Sequence, residues 1–185
     1  MMREIEDEII TIQSNALWPA YWKGNEVRLL KDCYTDITPT RGDIIIADAL
    51  TSWLFRFVLG LPHDILDLDD RYNPAILKVN GLVLYNYTKK PYVVGKELFY
   101  SLFGGKNSIR IADGHCLILP NDPQLYKQKY PFGIIPIDNI IGRVVASDEG
   151  SLGSDATPIG LKSHLRGDKF DAFDASGRAG HYIND

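Results

Sequence analysis

The chain has 185 residues, 45% of them hydrophobic and 24% charged, with a formal net charge of −4. These values exclude fibrous and disordered classes, leave room for one core of ordinary size plus an appendage, and weigh against nucleic acid, whose phosphates need a basic face. The two cysteines, Cys33 and Cys116, lack metal-ligand spacing. Each reads as a small core residue, with a disulfide between them left open.

Ile5, Ile9 and Ile12 recur at helical spacing among acidic residues, which predicts a short amphipathic helix over residues 2–13. Four acids in the first ten residues are the reverse of a signal peptide's basic start. The most apolar window, 53–61, is broken by Arg56 and too short to span a bilayer. The expectation is a soluble chain with no membrane span, located by default in the cytoplasm.

Asn15-Ala16-Leu17-Trp18-Pro19 reads as a bend, and Lys23-Gly24-Asn25-Glu26 as a turn whose Gly-Asn pair tolerates unusual backbone angles. A first core strand follows at 27–30, then a polar loop at 36–40 containing Pro39. Further strands are predicted at 43–47 and at 52–61, the latter stopped by Pro62. Strands at 75–79 and 82–87 flank Asn80-Gly81, a strong short-range hairpin signal. Residues 96–103 fit a helical turn or a strand. Strands at 108–111, 116–119 and 140–146 complete a mostly β chain, and their spacing predicts a coiled, barrel-like antiparallel sheet. Residues 148–185 hold six glycines and seven acids against four Lys or Arg. They are expected to form a flexible acidic tail after a β domain spanning 14–147.

Several of these segments resemble, in order and spacing, the type I signal peptidases and their LexA-like relatives. The bend Ala16-Leu17-Trp18-Pro19 and Gly24-Asn25 fall where that family has Ser-Met-x-Pro and Gly-Asp. Arg41-Gly42-Asp43-Ile44-Ile45 matches its Arg-Gly-Asp-Ile-Val strand. Arg56-Phe57-Val58-Leu59-Gly60-Leu61-Pro62-His63-Asp64 is similar to its Lys-Arg-x-x-Gly-Leu-Pro-Gly-Asp segment. Gly114 to Leu119, then Phe132-Gly133, then Ile140-Ile141-Gly142-Arg143-Val144 resemble its closing strands. The resemblance covers roughly residues 14–146. It implies a signal-peptidase-type fold, with Ala16 and Arg56 at the places of the nucleophile and the general base. Leu17, Trp18, Pro19 and Gln128 become the substrate-contact positions. The family carries a membrane anchor just before the bend, and here a charged segment takes that place, so the anchor is either absent by nature or left out of this chain.

A serine–lysine dyad works because a buried lysine loses its charge and accepts the hydroxyl proton, while a backbone amide stabilises the oxyanion. Ala16 has no hydroxyl, and Arg56 keeps its proton at ordinary pH. The supporting loop departs as well. Lys127-Gln128-Lys129-Tyr130 stands for Asp-Ser-Arg-Tyr, and Pro120-Asn121-Asp122 for Gly-Asp-Asn. Ser14 reads as a cap rather than a substitute nucleophile. His63 and His115 read as turn or surface residues, and either cysteine reads as a still weaker candidate for the nucleophile. Asp64, Asp67, Asp69 and Asp70 read as a solvated loop before a cation site. No metal or cofactor is expected.

Two functions follow. One is a catalytically inactive signal-peptidase-like protein that binds an extended peptide or protein partner by strand addition. The other is a serine endopeptidase in which Ala16 replaces the nucleophile or an atypical dyad operates. The bend's apolar residues fit either a peptide-binding surface or simple packing against the core. The tail, with small residues at Ala172, Ala175 and Gly177, offers a third idea, occupancy of the chain's own groove.

Overall fold

A computed structural model describes residues 7–48, 53–102, 105–125 and 133–146. The predicted tail, the 127–130 loop with Gln128, and Phe132 lie outside the described residues. The described part of the predicted N-terminal helix is instead strand β1 (Asp7–Thr11). Ile10 and Ile12 are buried while Ile9 is exposed, a period of two in place of the helical one. The strand is held by its neighbour β2 (Glu26–Lys31), with Asp7 opposite Leu30 and Thr11 opposite Glu26. Its acids meet bases on β2 at 2.7 Å (Asp7–Arg28) and 2.6 Å (Glu8–Lys31).

β3 (Ile44–Asp48) and β4 (Trp53–Gly60) match the predicted strands closely. β5 (Ile65–Asp69) occupies the stretch read as a solvated acidic loop. There Leu66 is buried and Leu68 half-buried, so Asp67 and Asp69 lie on an ordered strand that Asp64 precedes and Asp70 follows. β6 (Ala75–Val79) turns at Asn80-Gly81 into β7 (Leu82–Val83), with Val79 opposite Leu82. Asn80 and Gly81 both have positive φ, 53° and 78°, as a two-residue hairpin requires. β8 (Val93–Val94) leads into helix α1 (Lys96–Leu102), which resolves the undecided stretch. β9 (Ser108–Arg110), β10 (His115–Leu119), β11 (Gly133–Pro136) and β12 (Ile140–Ala146) follow.

The strands form two antiparallel sheets. One runs β1-β2-β12-β3-β4-β10-β11, and the other β7-β6-β5-β9 with β8 also on β6. Neither closes among the described residues, so the molecule is mostly β and antiparallel without the expected barrel closure. The main core lies between the sheets. Val27, Leu29, Ile46, Phe55, Phe57 and Leu119 from the first share it with Leu66, Leu77 and Val94 from the second, with Phe99 of α1, and with Ile111 just past β9.

The opposite face of the large sheet carries a second buried cluster: Ile45, Ala47, Leu54, Val58, Cys116, Ile118 and Ile140, capped by Cys33 and Tyr34. β4 is therefore buried on both faces, which explains its continuous apolar run. No described helix is long and apolar enough to cross a membrane.

Candidate functional site

The bend is the connection between β1 and β2. Hydrogen bonds Ile12 N–Asn25 O (2.8 Å) and Gly24 N–Ile12 O (2.9 Å) extend the hairpin past its strands, leaving residues 13–23 as its loop. Within the loop Ala20 N and Tyr21 N donate to Leu17 O, and Trp18 N donates to Asn15 O. Asn15 Oδ1 accepts from Lys23 N at 2.9 Å, closing the loop on itself. The Trp18–Pro19 peptide is cis. Leu17 is fully buried in the main core and anchors the bend, whereas Trp18 is 58% exposed. Pro19 is half-buried beside it. The bend thus both packs and presents a surface.

Asn121, just past β10, fastens the bend to the rest of the molecule. Its backbone N–H donates to Ala16 O at 2.9 Å, and its side-chain amide donates to Trp18 O. Its Oδ1 accepts from Tyr87 N (2.8 Å), and its carbonyl accepts from Asn86 Nδ2 (2.7 Å). Asn86 Oδ1 in turn accepts from Thr88 and Lys90 and shapes the turn between Leu84 and Tyr92. Tyr92 donates its hydroxyl to Pro120 O at 2.7 Å. Asn86, Asn121 and Tyr92 are all buried, so these bonds form where water cannot replace them. Sequence reading passed over Asn86 and Tyr92 and recorded Asn121 only as a departure from a motif. An asparagine next to a proline at a strand end was the available signal.

Leu119 pairs with Phe57, so continuation of the register puts Pro120 opposite Arg56. The backbones at positions 16 and 56 therefore converge on one corner of the large sheet, joined through residues 120 and 121. Leu17 enters the main core, while strand alternation sends Arg56, between Leu54 and Val58, to the second one. Arg56 is 3% exposed and donates Nη1 to Phe55 O at 2.8 Å. Burial lowers its pKa to about 10, which still leaves it charged at neutral pH. A charged guanidinium and a methyl group do not assemble a nucleophile and its base.

The substitutes fare no better. Ser14 Oγ accepts from Ala16 N at 3.4 Å, a local turn bond. His63 Nε2 lies 2.8 Å from Asp113 Oδ1, and His115 Nδ1 lies 2.8 Å from Asp113 O. His115 opens β10 and Asn121 follows its end, so six residues of strand put the histidines about 20 Å from the bend. Burial pushes the Cys33 thiol up and the Cys116 thiol up to about 12, against thiolate formation, and both cysteines are free. Asp64 accepts from Arg41 (2.8 Å), Leu61 N (2.5 Å) and Asn80 Nδ2 (2.7 Å). Asp69 is held by Arg71 and Lys78, each at 2.7 Å. These two carboxylates of the acidic run are taken by the chain's own donors.

Trp18 (58% exposed) and Tyr87 (37%) are bonded through their backbones to Asn121, and Trp22 (47%) is exposed on the same loop as Trp18. No protein-family model matches the chain, and no curated protein matches it.

Proposed function

We propose that the chain is a signal-peptidase-like protein that binds an extended peptide or a partner's extended segment at the bend and performs no peptide hydrolysis. The observation that carries this reading is the clamp of Asn121 on Ala16 and Trp18. The bend is held rigidly by buried hydrogen bonds and offers an exposed aromatic side chain, while the position that would attack a substrate is a methyl group. Rigid presentation lowers the ordering cost of binding, and strand addition supplies main-chain hydrogen bonds regardless of sequence. Leu17 anchors the bend, Trp18 and Pro19 supply contact area, and Arg56 holds a fixed positive charge where the family base would stand. Gln128 is assigned a contact role from the resemblance alone.

The test compares the chain as it stands with Ala16→Ser and with Ala16→Ser combined with Arg56→Lys. Each is challenged with a serine-directed covalent probe and a peptide library. The expected result is no labelling or cleavage by either the chain or Ala16→Ser, with peptide retained by both. Labelling of Ala16→Ser alone would overturn the reading in favour of an endopeptidase lacking only its nucleophile.

A further inference from the structure

β1 is an outer strand of the larger sheet, and among the described residues no strand pairs with its far side. Two bonds just beyond either end of β2 fix which backbone groups face that side. Asp32 N donates to Ile141 O at 3.1 Å. Antiparallel alternation then turns the peptide groups of Leu30 and Arg28 toward β12, and those of Leu29 and Val27 toward β1. Ile12 N donates to Asn25 O at 2.8 Å, and counting back from that pair assigns the peptide groups of Ile10 and Glu8 to β2. Both routes leave the N–H and C=O of Asp7, Ile9 and Thr11 directed outward. Thr11 O accordingly accepts from the exposed Gln13 Nε2 at 3.1 Å.

An outward row of peptide groups is a template for another strand, and folded proteins commonly block it with charge. β1 carries two acids, but each is matched within its own sheet, Asp7 by Arg28 at 2.7 Å and Glu8 by Lys31 at 2.6 Å. The strand contains neither proline nor glycine. Ile9, at its midpoint, is 56% exposed, and its side chain stands on the same face as those of Asp7 and Thr11.

The row is self-complementary. A second copy laid antiparallel about a two-fold axis at Ile9 sets Ile9 opposite Ile9 and Asp7 opposite Thr11. All the outward residues then fall in hydrogen-bonded pairs, each exchanging both of its N–H···O bonds. The Thr11 hydroxyl of one copy faces the Asp7 carboxylate of the other, and no acid lies opposite an acid. A slip of one residue would set outward groups against the inward groups of Glu8 and Ile10, and a slip of two would leave part of the row unpaired.

We infer that the chain associates through β1 into a two-fold dimer in which the larger sheets of two copies join edge to edge. The joined region is five residues on each side, so the association is weak and concentration-dependent. It stands apart from the peptide-binding role proposed for the bend.

Sedimentation velocity of the full chain over a wide concentration range tests this. The parent chain should shift from monomer toward dimer as its concentration rises. Ile9→Lys opposes two charges at the axis and should stay monomeric throughout, with a dilute-solution Tm close to the parent's. Ile9→Pro removes an N–H that a single copy does not use and should do the same. Mild oxidation reads the register separately. Ile9→Cys should form an intermolecular disulfide, since Cα atoms paired at the axis lie about 5.5 Å apart, within disulfide reach. Thr11→Cys should not, since its two copies lie about 14 Å apart along the joined strands. Cys33 and Cys116 are buried and do not compete.

A parent chain that is monomeric at its highest attainable concentration would overturn the inference. So would association that survives Ile9→Lys, or crosslinking of Thr11→Cys as fast as that of Ile9→Cys. A monomeric parent whose peptide binding is abolished by Ile9→Lys would also overturn it, giving the edge to a foreign strand instead.

Discussion

Asn121 engages its two donors and both of its oxygens at once: with Ala16 and Trp18 on the bend, and with Asn86 and Tyr87 on the second sheet's connecting turn. Its side-chain amide, like its backbone, both gives to the bend and receives from that turn. Replacing Asn121 by Asp keeps the acceptor for Tyr87 but sets a carboxylate oxygen against the Trp18 carbonyl. The expected cost is about 1–3 kcal/mol, the penalty for losing a partner at a buried polar group. It should appear as a lower denaturation midpoint and, within the folded state, as faster amide exchange over residues 16–21. An unchanged exchange pattern would mean that the side-chain bond to Trp18 does not hold the bend, and that Leu17 and the backbone bond to Ala16 suffice. Sequence could nominate the bend, because Trp-Pro and Gly-Asn are local signals. It could not nominate the clamp, whose partners are more than a hundred residues apart along the chain.

Elements in this fold are joined by contacts that their own patterns only half announce. β5 and β6 share Asp69, whose carboxylate is held well below the usual range, first by Arg71 and then by Lys78. A carboxylate with a depressed folded-state pKa adds stability above the unfolded value of about 3.9 and loses it as pH falls toward the folded value. Asp69→Asn should therefore flatten the acid limb of the stability profile below about pH 4, relative to the parent chain. Thermal melts across that range would check it.

β12 approaches β2 so closely at Gly142 that a Cβ there would lie 2.4 Å from Leu30 O, a backbone atom unable to move aside. Gly142→Ala should cost at least about 1–3 kcal/mol by overpacking. Gly81→Ala, with open space but a φ of 78°, should cost about 1–2 kcal/mol of backbone strain. Paired urea titrations would separate crowding from conformation. β1 shows the limit of periodicity. Three isoleucines fit a helical spacing, yet pairing with β2 and the ion pairs across it favour a strand.

At the scale of the molecule, two cores share one sheet, and the second core isolates both thiols. Cys33 and Cys116 should react with a disulfide reagent only after unfolding. Fast titration of either in the native state would contradict their burial and raised pKa values. The sequence by itself determined the β character, most strand positions and the Asn80-Gly81 hairpin, because alternation and turn chemistry act over a few residues. It also determined that Ala16 and Arg56 lack dyad chemistry, since that is a property of the side chains themselves. Only the tertiary structure decided which core each side chain enters, that β1 and β5 are strands, and that Asn121 binds the bend to the second sheet. Those outcomes depend on hydrogen bonds and packing between segments distant in sequence, which no local pattern encodes.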